Sequence, residues 1–147
     1  MSLKARIRDD MKAAMRGGDK ARLGTIRMLL AEIQRREVDE RTELDDTGVL
    51  ATLEKMVKQR RESIAQYQEA GREELAATEQ AEITVLQEYL PEPLSEAEIE
   101  ALVDEVIAAT GASGMQDMGK VMGQLKQKAQ GRADMGALSQ RVKQKLG

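Results

Sequence analysis

Residues 114–120 have the spacing of a phosphate-binding loop, with a glycine at the first position and a Gly-Lys pair at the end. Such a loop continues with Ser or Thr, whose hydroxyl holds magnesium, but in this chain Val121 follows. A phosphate loop also follows a buried strand, whereas here a predicted helix and the turn at residues 110–113 come first. We therefore interpret Gly119 and Gly123, four residues apart, as positions where a neighbouring helix approaches closely.

The chain contains no histidine and no cysteine. Histidine is the commonest general base and metal ligand, and a cysteine thiolate is the usual ligand of structural zinc. Their absence excludes Ser-His-Asp and Cys-His triads, disulfides and cysteine-based zinc sites. We predict no catalytic residue, no metal site and no cofactor.

Other groups with potential chemistry have simpler structural interpretations. Carboxylate pairs such as Glu73 and Glu74 are expected by chance among 26 acidic residues, so we interpret them as solvated helix surface. Thioethers can bind copper, but in a core without Phe or Trp we expect methionines to fill gaps. The methionines in question are Met115, Met118, Met122 and Met135.

Charge is segregated along the chain, although the net charge is only −3. The last thirty residues carry seven bases against Asp134 alone. These bases are Lys120, Lys126, Lys128, Arg132, Arg141, Lys143 and Lys145. One interpretation is a basic surface that binds phosphates. The alternative is that these side chains only solvate two short helices and balance acidic neighbours.

A second basic run contains Lys58, Arg60 and Arg61. On a helix these side chains are expected to form a stripe that faces solvent or a protein partner. The alternative is that they contact RNA. Tyr67 and Tyr89 are the only aromatic residues, so stacking on single-stranded bases is disfavoured. Any nucleic-acid binding should therefore recognise backbone and shape, as structured RNA permits.

The elements that must position these groups are helices. Apolar residues recur at steps of three and four, and the whole chain has only two prolines. This pattern predicts seven helices and an all-α fold, in which the first helix runs from about Leu3 to Arg16. Asp19 is expected to cap the second helix, which fades into the polar stretch Glu37 to Asp46. The third helix is expected to begin near Asp46 or Thr47.

The best domain boundary is the pair Pro91 and Pro93, which no helix can include. Ser95 and Glu98 then match a capping box, and Asp117 and Asp134 are expected to cap two further short helices. We predict an N-terminal domain of long helices, residues 1–91, and a C-terminal three-helix bundle, residues 92–147.

No apolar stretch approaches the length of about 18 residues that a membrane span needs. The N-terminal residues form an amphipathic pattern and not the apolar core of a signal peptide. These features predict a cytoplasmic protein with no membrane contact.

Ordered blocks of residues run along the chain. They are residues 60–64 (RRESI), Tyr67, 70–72 (AGR), 75–76 (LA), 89–91 (YLP), 94–99 (LSEAEI), 111–112 (GA), 117–123 (DMGKVMG) and 131–134 (GRAD). In this order the blocks resemble the GatB/YqeY family over nearly the whole chain. One departure is Met135, which stands where a glycine is common in the family.

The resemblance implies two helical domains, of which the second is similar to the tail of an amidotransferase B subunit. That enzyme is the glutamine-dependent aspartyl/glutamyl-tRNA amidotransferase, and its tail helps to hold tRNA. The resemblance therefore also implies an association with carbon-nitrogen ligase activity that uses glutamine as amido-N-donor. The catalytic sites of that enzyme lie in another domain and another subunit, so only the tRNA-facing role is carried over.

Together these features predict a free-standing accessory module that binds tRNA or other structured RNA without a catalytic site of its own. Lys120, Lys126, Lys128, Arg132 and Lys143 are the preferred contacts. Two alternatives stay open: a component of a glutamine-dependent carbon-nitrogen ligase complex, and a helical adaptor that binds a protein partner. The sequence does not specify the oligomeric state.

Overall fold

The computed structural model describes all 147 residues and contains seven α-helices and no strand, which confirms the all-α class. The helices are α1 (Leu3–Gly17), α2 (Lys20–Glu40), α3 (Asp46–Glu69), α4 (Glu73–Gln87), α5 (Glu96–Thr110), α6 (Met118–Ala129) and α7 (Met135–Leu146). A short 3-10 helix, Met115–Asp117, precedes α6. None of the helices combines the length and apolar character needed to cross a membrane.

The chain divides into two compact units. The N-terminal unit is Met1–Leu90 and contains α1 to α4, and the C-terminal unit is Pro91–Gly147 and contains α5 to α7. The division falls where Pro91 and Pro93 prevent a continuous helix, because proline lacks a backbone N–H and restricts the residue before it.

The N-terminal unit is built on a helical hairpin. Helices α3 and α4 are joined by three residues and make the most extensive helix-helix contact of the molecule. Helices α1 and α2 pack together in turn, and α2 also packs against α4. The apolar faces of all four helices meet in one core, whose fully buried members include Ile7, Ile26, Leu29, Leu53 and Leu86.

Short polar side chains set the helix starts in this unit. The side chain of Asp19 accepts a hydrogen bond from the Arg22 N–H at 3.1 Å, and that of Asp45 accepts one from Gly48 at 2.9 Å. Helix α2 ends at Glu40, within the polar stretch Glu37 to Asp46 where the sequence predicted its end. Arg41 ends it in the left-handed conformation, φ 53°, and satisfies two of its last carbonyls.

The C-terminal unit is a bundle of three helices. At the start of α5, the Ser95 hydroxyl accepts from the Glu98 N–H and the Glu98 carboxylate accepts from the Ser95 N–H, both at 3.1 Å. This is the reciprocal capping box expected from the sequence. The core of the bundle is formed by residues from all three helices, namely Val103, Val106, Val121, Leu125, Ala129, Leu138 and Val142.

One expectation about α6 is confirmed only in part, and another is wrong. Asp117 occupies the N-cap position of α6, but its side chain makes no capping hydrogen bond and instead accepts from the Ser113 N–H at 3.0 Å, within the turn before the helix. No neighbouring helix approaches Gly119 or Gly123, because a Cβ at either position would meet nothing within 4 Å. Both glycines lie on the exposed face of α6, away from the face that buries Val121 and Leu125.

Candidate nucleic-acid interface

The structure divides the ten basic residues selected from the sequence according to their partners. Some lie against carboxylates or carbonyls of their own unit, and others are exposed without any such partner. The distinction matters because a paired cation loses much of its attraction for an external phosphate.

Arg141 and Lys145 lie one helical turn apart on α7 and face the acidic helix α5. Arg141 Nη1 donates to Glu100 Oε1 at 2.9 Å, and a second nitrogen of the same guanidinium bonds to Glu96. Lys145 Nζ donates to Glu100 Oε2 at 2.7 Å and also bonds to Asp104. The hydrogen bonds to Asp104 and then Glu100 raise the pKa of Lys145. These two cations join α7 to α5.

Lys128 and Arg132 are also tied to their own unit. Lys128 Nζ lies 3.4 Å from Glu105 Oε1. Arg132 Nε donates to the Glu92 carbonyl at 2.8 Å, and the Arg132 carbonyl accepts from the Leu94 N–H at 2.8 Å. Arg132 therefore holds the segment before α5 against the turn between α6 and α7.

Lys120, Lys126 and Lys143 differ from the other basic residues of the C-terminal unit. All three are exposed and make no ion pair or hydrogen bond to their side chains. At about 3.6 residues per turn, Lys120 and Lys126 lie away from the stripe that buries Val121 and Leu125. Three cations of this unit thus face solvent without an acidic partner.

Lys120 belongs to a polar surface of α6 that also contains two glycines. We call it the α6 outer face, and it consists of Gly119, Lys120, Gly123, Gln124 and Gln127, all exposed. A helical glycine costs about 1 kcal/mol relative to alanine, and neither glycine packs against a neighbour that would require it. The helix backbone is therefore unusually accessible at this face.

The basic run of α3 likewise contains one paired cation and two unpaired ones. Arg60 is nearly buried, its side chain 14% exposed, and its Nε donates to Glu82 Oε2 at 2.7 Å with Glu79 at 3.8 Å. Burial, followed by the charge of Glu82, raises the pKa of Glu79. Lys58 and Arg61 are exposed and have no such partner.

Residues 114–120 do not form a phosphate-binding loop. The side chain of Gln116 fills the space beside Gly114 that a Cβ would occupy, and the Ser113 N–H is bound by Asp117. The turn is thus closed by its own side chains. No group of three or more acidic side chains is arranged to hold a metal ion.

Sequence reasoning did not select two further free cations, Arg8 and Lys12 of α1. Both are exposed and make no ion pair. The sequence did contain a signal for these residues. Lys4, Arg8 and Lys12 are spaced four residues apart, and this spacing places three cations on one face of a helix. Lys4 itself is buried and paired with Glu37 and Glu43.

Comparison with known proteins identifies a family and several relatives. A family model described as "Yqey-like protein" matches residues 4–146. "Altered inheritance of mitochondria protein 41, mitochondrial" of Pyrenophora tritici-repentis is 32% identical over 145 residues, which cover 97% of this chain and 80% of that protein. Proteins of the same name from Eremothecium gossypii and Lachancea thermotolerans are 38% and 35% identical over 64% and 70% of this chain. The chain spans about half the length of these last two, 52% and 57%.

The names of these three relatives assign them to mitochondria. They contradict the predicted cytoplasmic location, which is therefore withdrawn. The prediction rested on the absence of a long apolar stretch, and that absence does not distinguish one aqueous compartment from another.

Proposed function

The chain belongs to the family of YqeY-like proteins, and on this premise we propose that it is an RNA-binding accessory module. Its C-terminal unit would hold structured RNA by the phosphate backbone. The resemblance of this unit to the tail of the amidotransferase B subunit makes tRNA the first RNA to test.

The observation that carries the proposal is the free charge of Lys120, Lys126 and Lys143. Each is exposed without an acidic partner, whereas the neighbouring Arg141 and Lys145 are neutralised by α5. Free lysines on a helix surface release counterions from a nucleic acid when they meet its phosphates, and this release drives binding.

The α6 outer face supports the same proposal by its shape. With hydrogen in place of a side chain at Gly119 and Gly123, a phosphate backbone can approach the helix closely. The unit has no aromatic residue for base stacking, so recognition would depend on backbone and shape. Lys58 and Arg61 of the N-terminal unit are proposed as separate, additional contacts.

The test is a salt titration of the affinity for total tRNA, with duplex DNA as the competing nucleic acid. The unmodified protein should prefer tRNA and lose affinity steeply with salt. The triple variant Lys120→Gln/Lys126→Gln/Lys143→Gln should bind more weakly. Its slope of log affinity against log salt should be shallower by about 2, since each phosphate contact on RNA contributes roughly 0.7 to 0.9.

A matched control removes the same charge elsewhere. Arg16, Lys20 and Lys55 are exposed cations of the N-terminal unit, and their triple glutamine variant should retain the slope. An equal loss in both variants would show that only net charge matters, which contradicts the proposed interface. Absence of tRNA binding at low salt would overturn the proposal in favour of a protein adaptor.

A further inference from the structure

A cleft of about 410 Å³ lies between α1 and α2 in the N-terminal unit. One wall is a row of cations on α1, Lys4, Arg8 and Lys12, and the opposite wall on α2 includes Gln34 and Glu37. Lys4 and Lys12 are eight residue steps apart, so the row is about 12 Å long at the helical rise of roughly 1.5 Å per residue. The volume falls within the range of small-molecule sites.

The charge of the cleft is uneven along its length. At one end Lys4 Nζ lies 2.7 Å from Glu37 Oε2 and 3.0 Å from Glu43 Oε1, so its charge is neutralised. Glu37 also accepts from the Leu44 N–H at 2.8 Å, and the hydrogen bond from Lys4 is the main cause of its lowered pKa. Arg8 and Lys12, toward the other end, are exposed without an ion pair, and the charge of Arg8 contributes, less than Lys4, to the lowered pKa of Glu37.

The floor of the cleft is apolar. It is formed by Met11, Leu30 and Ile33, of which Ile33 is 1% exposed and the other two are partly buried. An RNA phosphate would satisfy the two free cations but would leave the exposed parts of Met11 and Leu30 without a partner. A molecule with both an anionic group and an apolar body would satisfy both features.

We propose that the cleft binds a small anionic amphiphile. A carboxylate or phosphate group would lie between Arg8 and Lys12, and an apolar chain would cover the exposed parts of Met11 and Leu30. Gln34 would add a neutral hydrogen-bonding amide from α2. This site is independent of the proposed RNA contacts, which use other residues, so either proposal can fail while the other stands.

The probe is sodium decanoate, compared with decanol, which has the same chain without the charge. Amide chemical shifts of the full-length protein are followed by NMR during each titration. We expect saturable shifts in α1 and α2 with decanoate, and binding at least tenfold weaker with decanol. The variant Arg8→Gln/Lys12→Gln should weaken decanoate binding at least tenfold, because it removes both free cations but no core residue.

The control variant Lys20→Gln/Lys55→Gln removes two exposed cations that do not line the cleft, and it should bind decanoate normally. An equal loss of affinity in this control, or shifts confined to other helices, would overturn the proposal. The last measurement tests binding of the protein to vesicles that contain phosphatidylglycerol. Binding to vesicles without binding to monomeric decanoate would show a lipid-surface contact and would reject the small-molecule site.

Discussion

The hydroxyl of Tyr89 donates a hydrogen bond of 2.6 Å to Oδ2 of Asp10, and it thereby joins the end of the N-terminal unit to α1. The guanidinium of Arg6 lies over the Tyr89 ring, 5.0 Å from its centre. Arg22 of α2 bonds to the carboxylate of the adjacent Glu88. The residues that follow α4 are thus fixed to both α1 and α2.

Replacing Tyr89 with Phe should destabilise the N-terminal unit by about 1–2 kcal/mol. The ring stays buried, but the hydrogen bond to a charged acceptor is lost. Urea unfolding at neutral pH measures the change. Tyr67→Phe is the matched control, since the Tyr67 hydroxyl has no hydrogen bond, and it should be nearly neutral. Equal effects of the two substitutions would show that the bond to Asp10 contributes nothing.

The hydrogen bond between Tyr89 and Asp10 also predicts a loss of stability at alkaline pH. Burial and the hydrogen bond to Asp10 raise the pKa of Tyr89 above its ordinary value of 10.0. The unfolded chain therefore loses this proton before the folded one, and the contribution, complete below pH 10.0, declines as the pH rises toward the folded pKa. Stability measured from pH 9 upward should fall less steeply in Tyr89→Phe than in the unmodified protein. Parallel curves would contradict this expectation.

Glu37→Gln should lower stability at neutral pH and make it less sensitive to acid. Hydrogen bonds from Lys4 and Leu44 lower the pKa of Glu37 from 4.5, so its contribution is present above that pH and is lost as the pH falls through the folded pKa. The difference in urea midpoint between variant and unmodified protein should be largest at pH 7 and shrink toward pH 3. Glu62→Gln, at an exposed carboxylate without a bonded partner, should change the midpoint little at any pH.

Gly123→Ala should stabilise the C-terminal unit by about 1 kcal/mol, since Gly123 is inside α6 and an added Cβ meets open space; Gly119→Ala should stabilise it by less, because Gly119 is the second residue of the helix. If the α6 outer face contacts RNA, the same changes should weaken tRNA binding. Thermal unfolding and the tRNA titration measure the two effects separately. Gly24→Ala, at an equally open position in α2, should stabilise its helix without changing tRNA affinity. Unchanged affinity in the α6 variants would exclude close approach at this face.

Leu125→Ala should unfold much of the C-terminal unit. Leu125 is fully buried, and truncating such a side chain costs about 2–5 kcal/mol. A core of this size rarely supplies more than roughly 3–5 kcal/mol in total. Hydrogen exchange should show lost protection in α5, α6 and α7. Leu102→Ala, at a partly buried position, is the milder control and should leave the unit folded.

The sequence alone was sufficient for the helices and most of their ends. The hydrogen bonds between Ser95 and Glu98 and the cap at Asp19 join residues three apart, so the local pattern already contains both partners. The same holds for Gly111, whose positive φ of 66° ends α5. The ordered blocks that indicated the family are likewise a property of the chain itself.

Only the tertiary structure decided which cations are free. Arg141 and its partner Glu96 are 45 residues apart, and nothing in the local spacing distinguishes Arg141 from Lys143, which faces solvent. The open space above Gly119 and the cleft beside Arg8 also result from the way in which the helices pack. Periodicity gives each helix a buried and an exposed face, but the partners of the polar residues depend on how whole helices pack, and that packing is set by contacts remote in sequence.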